Sequence, residues 1–195
     1  MSSFRGRVYT QFAIGPALAF YTLHRELQQD IVWVDNTKKW WRFIGGARNY
    51  DLSIAYVFDN GFILGGDVAV IRSSGMSSTS KRDDRDDPTN PAGTFSIMLG
   101  PVVGYYPRAD LGWYVQAQPA LGYSTFSSDA PTGSFRAITG YEWAAGPSGA
   151  FGLNAALEIQ WTKSEEEGRY PDVIFDSVHL PIIGMLNICM KGFWD

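Results

Sequence analysis

The chain has 195 residues, of which 15% are aromatic and 21 are glycine, and its formal net charge at pH 7 is -4. This length suits one domain with a sizeable core, and the lack of a basic excess argues against a nucleic-acid-binding protein. The single cysteine, Cys189, excludes an internal disulfide and a cysteine-rich metal cluster, and we expect it to be a small buried side chain.

Eight segments alternate between large apolar residues and small or polar ones, as strands with two different faces do. The predicted strands begin with a long one at about residues 5–23 and a second that ends at Phe58. The third covers 62–72, the fourth 94–107 and the fifth 111–124. The sixth contains Phe135 and Trp143, the seventh begins near Phe151, and the last runs over about 177–194. The chain therefore predicts an all-β protein.

The breaks between these segments are short and long in turn. The short turns are 59–61, 108–110 and 147–149, and the long loops are about 24–48, 73–93, 125–133 and 164–176. A meander with short turns at one end and long loops at the other is typical of an up-and-down barrel that crosses a membrane. We predict that residues 1–195 form a single domain, an eight-stranded antiparallel up-and-down transmembrane β-barrel.

The composition of the two faces predicts which one lies inside. In the third strand one face is large and apolar, whereas the other is small and carries Asp67. A face exposed to water would be richer in charged residues, so we expect the small polar face to fill a narrow lumen and the aliphatic face to contact lipid. The alternative is an inverted, soluble ligand-binding barrel of the lipocalin type with an apolar cavity.

The aromatic residues are sorted along the predicted barrel axis. With the short turns at the lower end, one set lies near the lower rim: Phe58, Phe62, Tyr105, Trp113, Trp143, Phe151 and Trp194. A second set lies near the upper rim: Phe20, Tyr123, Phe135 and Trp161. Two aromatic belts around an aliphatic band are expected at the two interfaces of a membrane.

The whole chain resembles the small eight-stranded outer-membrane barrels of the OmpA and OmpX type. The resemblance is carried by the alternating strands, the three tight turns, the four long loops and the aromatic end Gly192-Phe193-Trp194, although this chain ends on Asp195. It implies a place in the outer membrane of a Gram-negative cell, no catalytic residues and no cofactor. We expect a monomer whose partners are the lipid bilayer and lipopolysaccharide.

The first residues lead directly into a strand and contain no apolar signal-peptide core. We expect a signal peptide to have been removed, and a cytosolic protein is the alternative.

Five charged residues point to the predicted inner face: Asp67, Arg136, Glu142, Glu158 and Lys191. Buried charges must pair or accept hydrogen bonds, so we expect a polar network that plugs the lumen. A gated narrow pore is the alternative.

Two groups of residues raise the question of chemistry. Ser177 and His179 share a strand face, and residues 165–167 are all glutamate, a set that suits an acyl hydrolase. Lipid A deacylases use such a set on a similar barrel, but the spacing and order here differ from theirs. We therefore predict no enzyme, with a lipid-modifying outer-membrane enzyme of the lipid A deacylase kind as the alternative. The carboxylates in 81–87 lack the spacing of an EF-hand, and we predict no metal site.

The first long loop carries two tryptophans between cations: Lys38, Lys39, Trp40, Trp41 and Arg42. Tryptophan and basic residues together are typical of a membrane interface, so we expect a lipopolysaccharide contact, the alternative being a loop that packs its own tryptophans. The predicted role is structural or adhesion-like surface interaction through the long loops. Prolines at 16, 101, 119 and 181 predict local bulges or misplaced strand ends.

Overall fold

The computed structural model describes residues 5–27, 42–73, 94–107, 112–125, 130–167 and 174–194. These residues form eight strands: β1 Arg7–Leu27, β2 Arg42–Val57, β3 Phe62–Ser73, β4 Thr94–Tyr105, β5 Trp113–Ser124, β6 Ala130–Ala144, β7 Gly149–Glu167 and β8 Ile174–Trp194. Each strand pairs antiparallel with its neighbours in sequence, and β1 pairs with β8, so the sheet closes into a barrel. The predicted eight-stranded antiparallel up-and-down barrel is confirmed. In these ranges there is no helix with the length and apolarity needed to span a membrane.

Several strands extend further toward the loop end than predicted. The predicted loop at 24–48 is shortened by both β1 and β2, that at 125–133 by β6, and that at 164–176 by β7 and β8. In these extensions Arg25 still pairs with Ser177, and Glu165 with Asp176. The backbone ladder continues where apolar and polar residues do not alternate regularly, as in the three glutamates at 165–167, so the sequence pattern does not mark the strand there. The turn predicted at 108–110 lies outside the described residues.

The turn between β2 and β3 depends on glycine at one position. Gly61 has φ +88°, and a Cβ atom there would lie 2.6 Å from the carbonyl oxygen of Tyr106. The amide of Gly61 donates to the carbonyl of Phe58 at 2.8 Å, and the amide of Phe62 donates to Asn60 Oδ1 at 3.0 Å. This closes a short connection and fixes the pairing of β2 with β3.

The two faces of the barrel wall have opposite character. Along β7, Asn154, Glu158 and Gln160 are at most 4% exposed, whereas Leu153 and Leu157 are more than half exposed. The same alternation recurs in the other strands: most large apolar side chains face outward, whereas polar and small ones face the lumen together with some larger apolar ones such as Ile63, Ile71 and Ile183. The lipocalin-type alternative needs an apolar cavity, and the charged side chains buried in the described lumen disfavour it.

The in-strand prolines interrupt ladders without shifting most of them. The β4–β5 ladder runs from Leu99↔Leu121 to Val103↔Ala117 without a register shift, which sets Pro101 opposite Pro119. The predicted bulge is wrong at these two prolines and at Pro181, because a missing N–H removes a ladder bond without adding a residue. A register shift lies close to Pro16, between Ala17 and Ala19.

Candidate functional site in the barrel lumen

The lumen contains a cluster near the tight turns that is centred on Lys191 of β8. Its Nζ forms an ion pair with Glu142 Oε1 at 2.6 Å and donates to the hydroxyl of Tyr106 at 2.8 Å. The Tyr106 hydroxyl in turn donates to Glu142 Oε2 at 2.7 Å. We call this the turn-side cluster. All three side chains are at most 4% exposed, so the charge pair is closed off from water.

Aromatic rings surround the same ammonium group. The Lys191 Nζ lies 4.2 Å from the ring centroid of Tyr9, 5.3 Å from that of Tyr106 and 4.4 Å from that of Tyr114. A cation above ring faces is stabilised, more so when water is excluded. Tyr114 fits because residue 140 is glycine, where a Cβ atom would lie 2.7 Å from its ring.

A second cluster lies further toward the loops and is centred on Arg136 of β6. Its guanidinium bonds Asp51 Oδ2 from β2 at 2.6 Å and Glu158 Oε2 from β7 at 2.5 Å. Asp67 Oδ2 from β3 is further away, at 3.8 Å. Ser53 Oγ lies 3.1 Å from Asp51 Oδ1 and 2.9 Å from Asp67 Oδ1. This loop-side cluster places three buried carboxyl groups around one guanidinium.

Neutral side chains extend both clusters across the lumen. Asn49 donates to Asn187 at 3.3 Å, Asn187 donates to Asn154 at 2.9 Å, and Asn154 donates to the Tyr114 hydroxyl at 3.2 Å. Gln160 donates to Ser96 at 3.0 Å and to Glu158 at 2.7 Å. Opposite walls of the barrel are therefore joined by side-chain hydrogen bonds at several heights.

The structure divides the five predicted lumen residues between the two clusters. Asp67, Arg136 and Glu158 belong to the loop-side cluster, and Glu142 and Lys191 to the turn-side cluster. Sequence reasoning missed Asp51, Tyr9, Tyr106 and Tyr114 as members of these clusters. The inward orientation of Asp51 could have been predicted, because Leu52 and Ile54 face outward and alternation places residue 51 on the inner face.

The outer surface carries the aromatic residues predicted to lie at the lipid interface. Each member is at least 37% exposed on the outer face: Phe58, Phe62, Tyr105, Trp113, Trp143, Phe151, Trp161 and Trp194. Near the tight turns they join into contacts between neighbouring strands. The Trp113 ring meets Tyr141 with centroids 5.4 Å apart, and Trp143 stacks on Phe151 at 5.4 Å.

Other predicted residues fall outside what the structure describes. Lys38, Lys39, Trp40 and Trp41 and the run at 81–87 are not among the described residues. For Arg42, Ser177, His179 and 165–167 the structure describes the strand backbone but not the side chains. Among the described side chains, no group of three or more His, Cys, Asp or Glu is arranged to hold a metal ion. Cys189 is buried at 1% exposure.

Comparison with known proteins informs the fold. No family model and no curated protein matches the chain. It is similar to the outer membrane protein OprG from Pseudomonas aeruginosa, with TM-score 0.57 and 12% identity over 97% of this chain and 99% of that chain. It is also similar to the outer membrane protease OmpT from Escherichia coli, with TM-score 0.40 and 11% identity over 100% and 99%. For Ail, the attachment invasion locus protein of Yersinia pestis, the TM-score is 0.36 and the identity 16% over 95% and 99%.

The likeness to OprG agrees with the closed barrel described above, and at 12% identity it shows the fold alone. The similarity to the OmpA and OmpX type stays a resemblance of sequence pattern.

Proposed function

We propose that the protein is an integral barrel of a Gram-negative outer membrane, with a closed lumen and a structural or surface-interaction role carried by its long loops. The observation that carries this proposal is the inverted wall: charged and polar side chains are buried in the lumen, and most large apolar side chains are exposed on the outside. So many leucines and isoleucines on one surface are unfavourable in water and favourable in contact with lipid. The similarity to OprG, an outer membrane protein, supports the same location.

The orientation follows from the lengths of the connections. Outer-membrane barrels have short periplasmic turns and longer extracellular loops, so the loop containing 74–93 faces outward. Trypsin added to intact cells that express the protein behind a secretory signal should cleave there, at Lys81, Arg82 or Arg85. Cleavage that begins only after the outer membrane is permeabilised would contradict this orientation.

The proposed closed lumen rests on the two buried clusters. An eight-stranded barrel is just wide enough for side chains to fill it, and here the side chains on opposite walls are bonded to one another. Planar-bilayer recordings should detect no conductance for the wild type or for Arg136→Ala, since the turn-side cluster remains in that variant. Reproducible opening steps in either protein would favour a gated pore instead.

The proposed surface role includes a contact with lipopolysaccharide. Lys38, Lys39 and Arg42 would meet its phosphates, and the adjacent tryptophans would lie in the headgroup layer. Changing the three cations to alanine should reduce the lipopolysaccharide that copurifies with the folded barrel. Changing Arg7 to alanine, at the opposite end of the barrel, is the control. Unchanged copurification in the triple variant would count against the contact.

A further inference from the structure

The loop-side cluster contains more acid than its single guanidinium neutralises. Asp51, Asp67 and Glu158 are all at most 5% exposed and surround Arg136. Burying a carboxylate without a matching donor costs several kcal/mol, so such a group tends to take up a proton instead. The distribution of donors around the three carboxyl groups identifies which one this is.

Arg136 is committed to two of the three acids. Its guanidinium lies 2.6 Å from Asp51 Oδ2 and 2.5 Å from Glu158 Oε2, but 3.8 Å from Asp67 Oδ2. Charge-assisted hydrogen bonds are typically about 2.7–2.9 Å long. Arg136 therefore forms close ion pairs with Asp51 and Glu158, whereas Asp67 lacks a close cationic donor.

A second donor close to Asp67 is unused. Asp67 and Gln118 line the same narrow gap, which is bounded by β3, β4, β5 and β6. Gln118 is 2% exposed, and its Nε2 has no hydrogen-bond partner among the described residues. A buried carboxylate would attract an N–H group that shares its gap. Gln118 instead turns its oxygen toward Arg136, whose Nη1 donates to Oε1 at 3.4 Å. Its Nε2 is left without an acceptor, as expected beside a neutral Asp67.

The number of hydrogens available at Ser53 also indicates that Asp67 is protonated. Its hydroxyl carries one hydrogen but lies within hydrogen-bond distance of both Asp51 Oδ1 and Asp67 Oδ1. If Ser53 donates to Asp51, its contact with Asp67 requires a hydrogen on the Asp67 carboxyl. The proton then lies on Asp67. The Asp67 carboxyl group donates a hydrogen bond to Ser53 Oγ, and the Ser53 hydroxyl donates one to Asp51.

We propose that Asp67 is a neutral carboxylic acid at pH 7 and that Asp51, Ser53 and Asp67 form a proton-binding site inside the lumen. The charged groups that face it are Asp51 from β2, Arg136 from β6 and Glu158 from β7, while β4 and β5 contribute the uncharged Met98, Gly100, Gln118 and Ala120. When the pH rises, the proton leaves to water. The new carboxylate then competes with Asp51 and Glu158 for Arg136, so the cluster loosens in alkaline solution.

Infrared spectroscopy of the folded barrel in detergent micelles tests the site directly. At pH 7, roughly three units above the point where an exposed aspartate titrates, the wild type should show the carbonyl band of a protonated carboxyl group. The band should disappear in Asp67→Asn and persist in Asp59→Asn, an exposed aspartate in the β2–β3 turn. Absence of the band from the wild type, or its survival in Asp67→Asn, would overturn the proposal.

The pH dependence of unfolding gives a second readout. A folded chain that holds one proton more than the unfolded chain loses stability as the pH rises, by about tenfold in the folding equilibrium constant per pH unit. Between pH 7 and pH 9 the wild type should lose stability relative to Asp67→Asn, whose amide cannot release a proton. Parallel profiles for the two proteins would refute the site. Neither test depends on the location or the loop function proposed above.

Discussion

Lys191 is the residue whose surroundings are most completely defined. Its ammonium group is paired with Glu142 and lies over the rings of Tyr9 and Tyr114. Removing one partner of a buried pair leaves an uncompensated charge and costs about 3–5 kcal/mol, whereas replacing both partners by neutral groups is often tolerated. Lys191→Met should lower the unfolding free energy in urea by about that amount.

The double variant Lys191→Met with Glu142→Gln separates charge from packing. Because it removes the orphaned carboxylate as well, it should recover most of the stability lost in Lys191→Met. Equal losses in the single and double variants would show that Lys191 contributes through packing alone.

The pairing of charges across the lumen could be predicted only in part from sequence. Arg136 and Glu158 flank the turn between β6 and β7 at equal distances and are direct cross-strand partners. The register of the β6–β7 hairpin alone therefore brings Arg136 and Glu158 together, so this contact could be predicted from the sequence. The contact of Arg136 with Asp51 joins residues 85 positions apart across the closed barrel, and no local spacing encodes it.

At the scale of the element, two turn glycines offer a matched comparison. Gly61 and Gly146 both have positive φ, +88° and +101°, but only at Gly61 would a Cβ atom meet a carbonyl oxygen, that of Tyr106, at 2.6 Å. Gly146→Ala should cost about 1–2 kcal/mol for the left-handed backbone, and Gly61→Ala should cost more. Urea unfolding measures both, and equal costs would contradict the steric role of Gly61.

Two prolines interrupt the hydrogen-bond ladder between β4 and β5. Pro101 and Pro119 face each other there, and neither can donate a backbone hydrogen bond. The variant Pro101→Val with Pro119→Val should slow amide hydrogen exchange in both strands, because it restores two donors. Unchanged amide exchange would mean that the interruption of the β4–β5 ladder has a cause other than the prolines. The sequence shows that both residues are prolines, but it does not show that they lie opposite each other, because that depends on the register of β4 and β5.

At the scale of the whole molecule, the alternation of residues was sufficient to predict the closed barrel and the character of each face. In β3, for example, Phe62 and Leu64 point outward and Asp67 inward, as their spacing indicates. The ends of the strands near the loops were not predictable, because Glu165 and Asp176 pair in a stretch where apolar and polar residues do not alternate regularly.

If the outer face of the barrel lies in lipid, arginine placed at two depths along it should cost different amounts of stability. Leu157 lies midway between the two aromatic belts, between Phe151 and Trp161, and Val8 lies beside Trp194 at the rim. The unfolding free energy in lipid vesicles should fall by about 2–4 kcal/mol for Leu157→Arg and by about 0–1 kcal/mol for Val8→Arg. A cost at Leu157 no greater than that at Val8, with a folded monomer in detergent-free buffer, would show that the outer face does not lie in lipid.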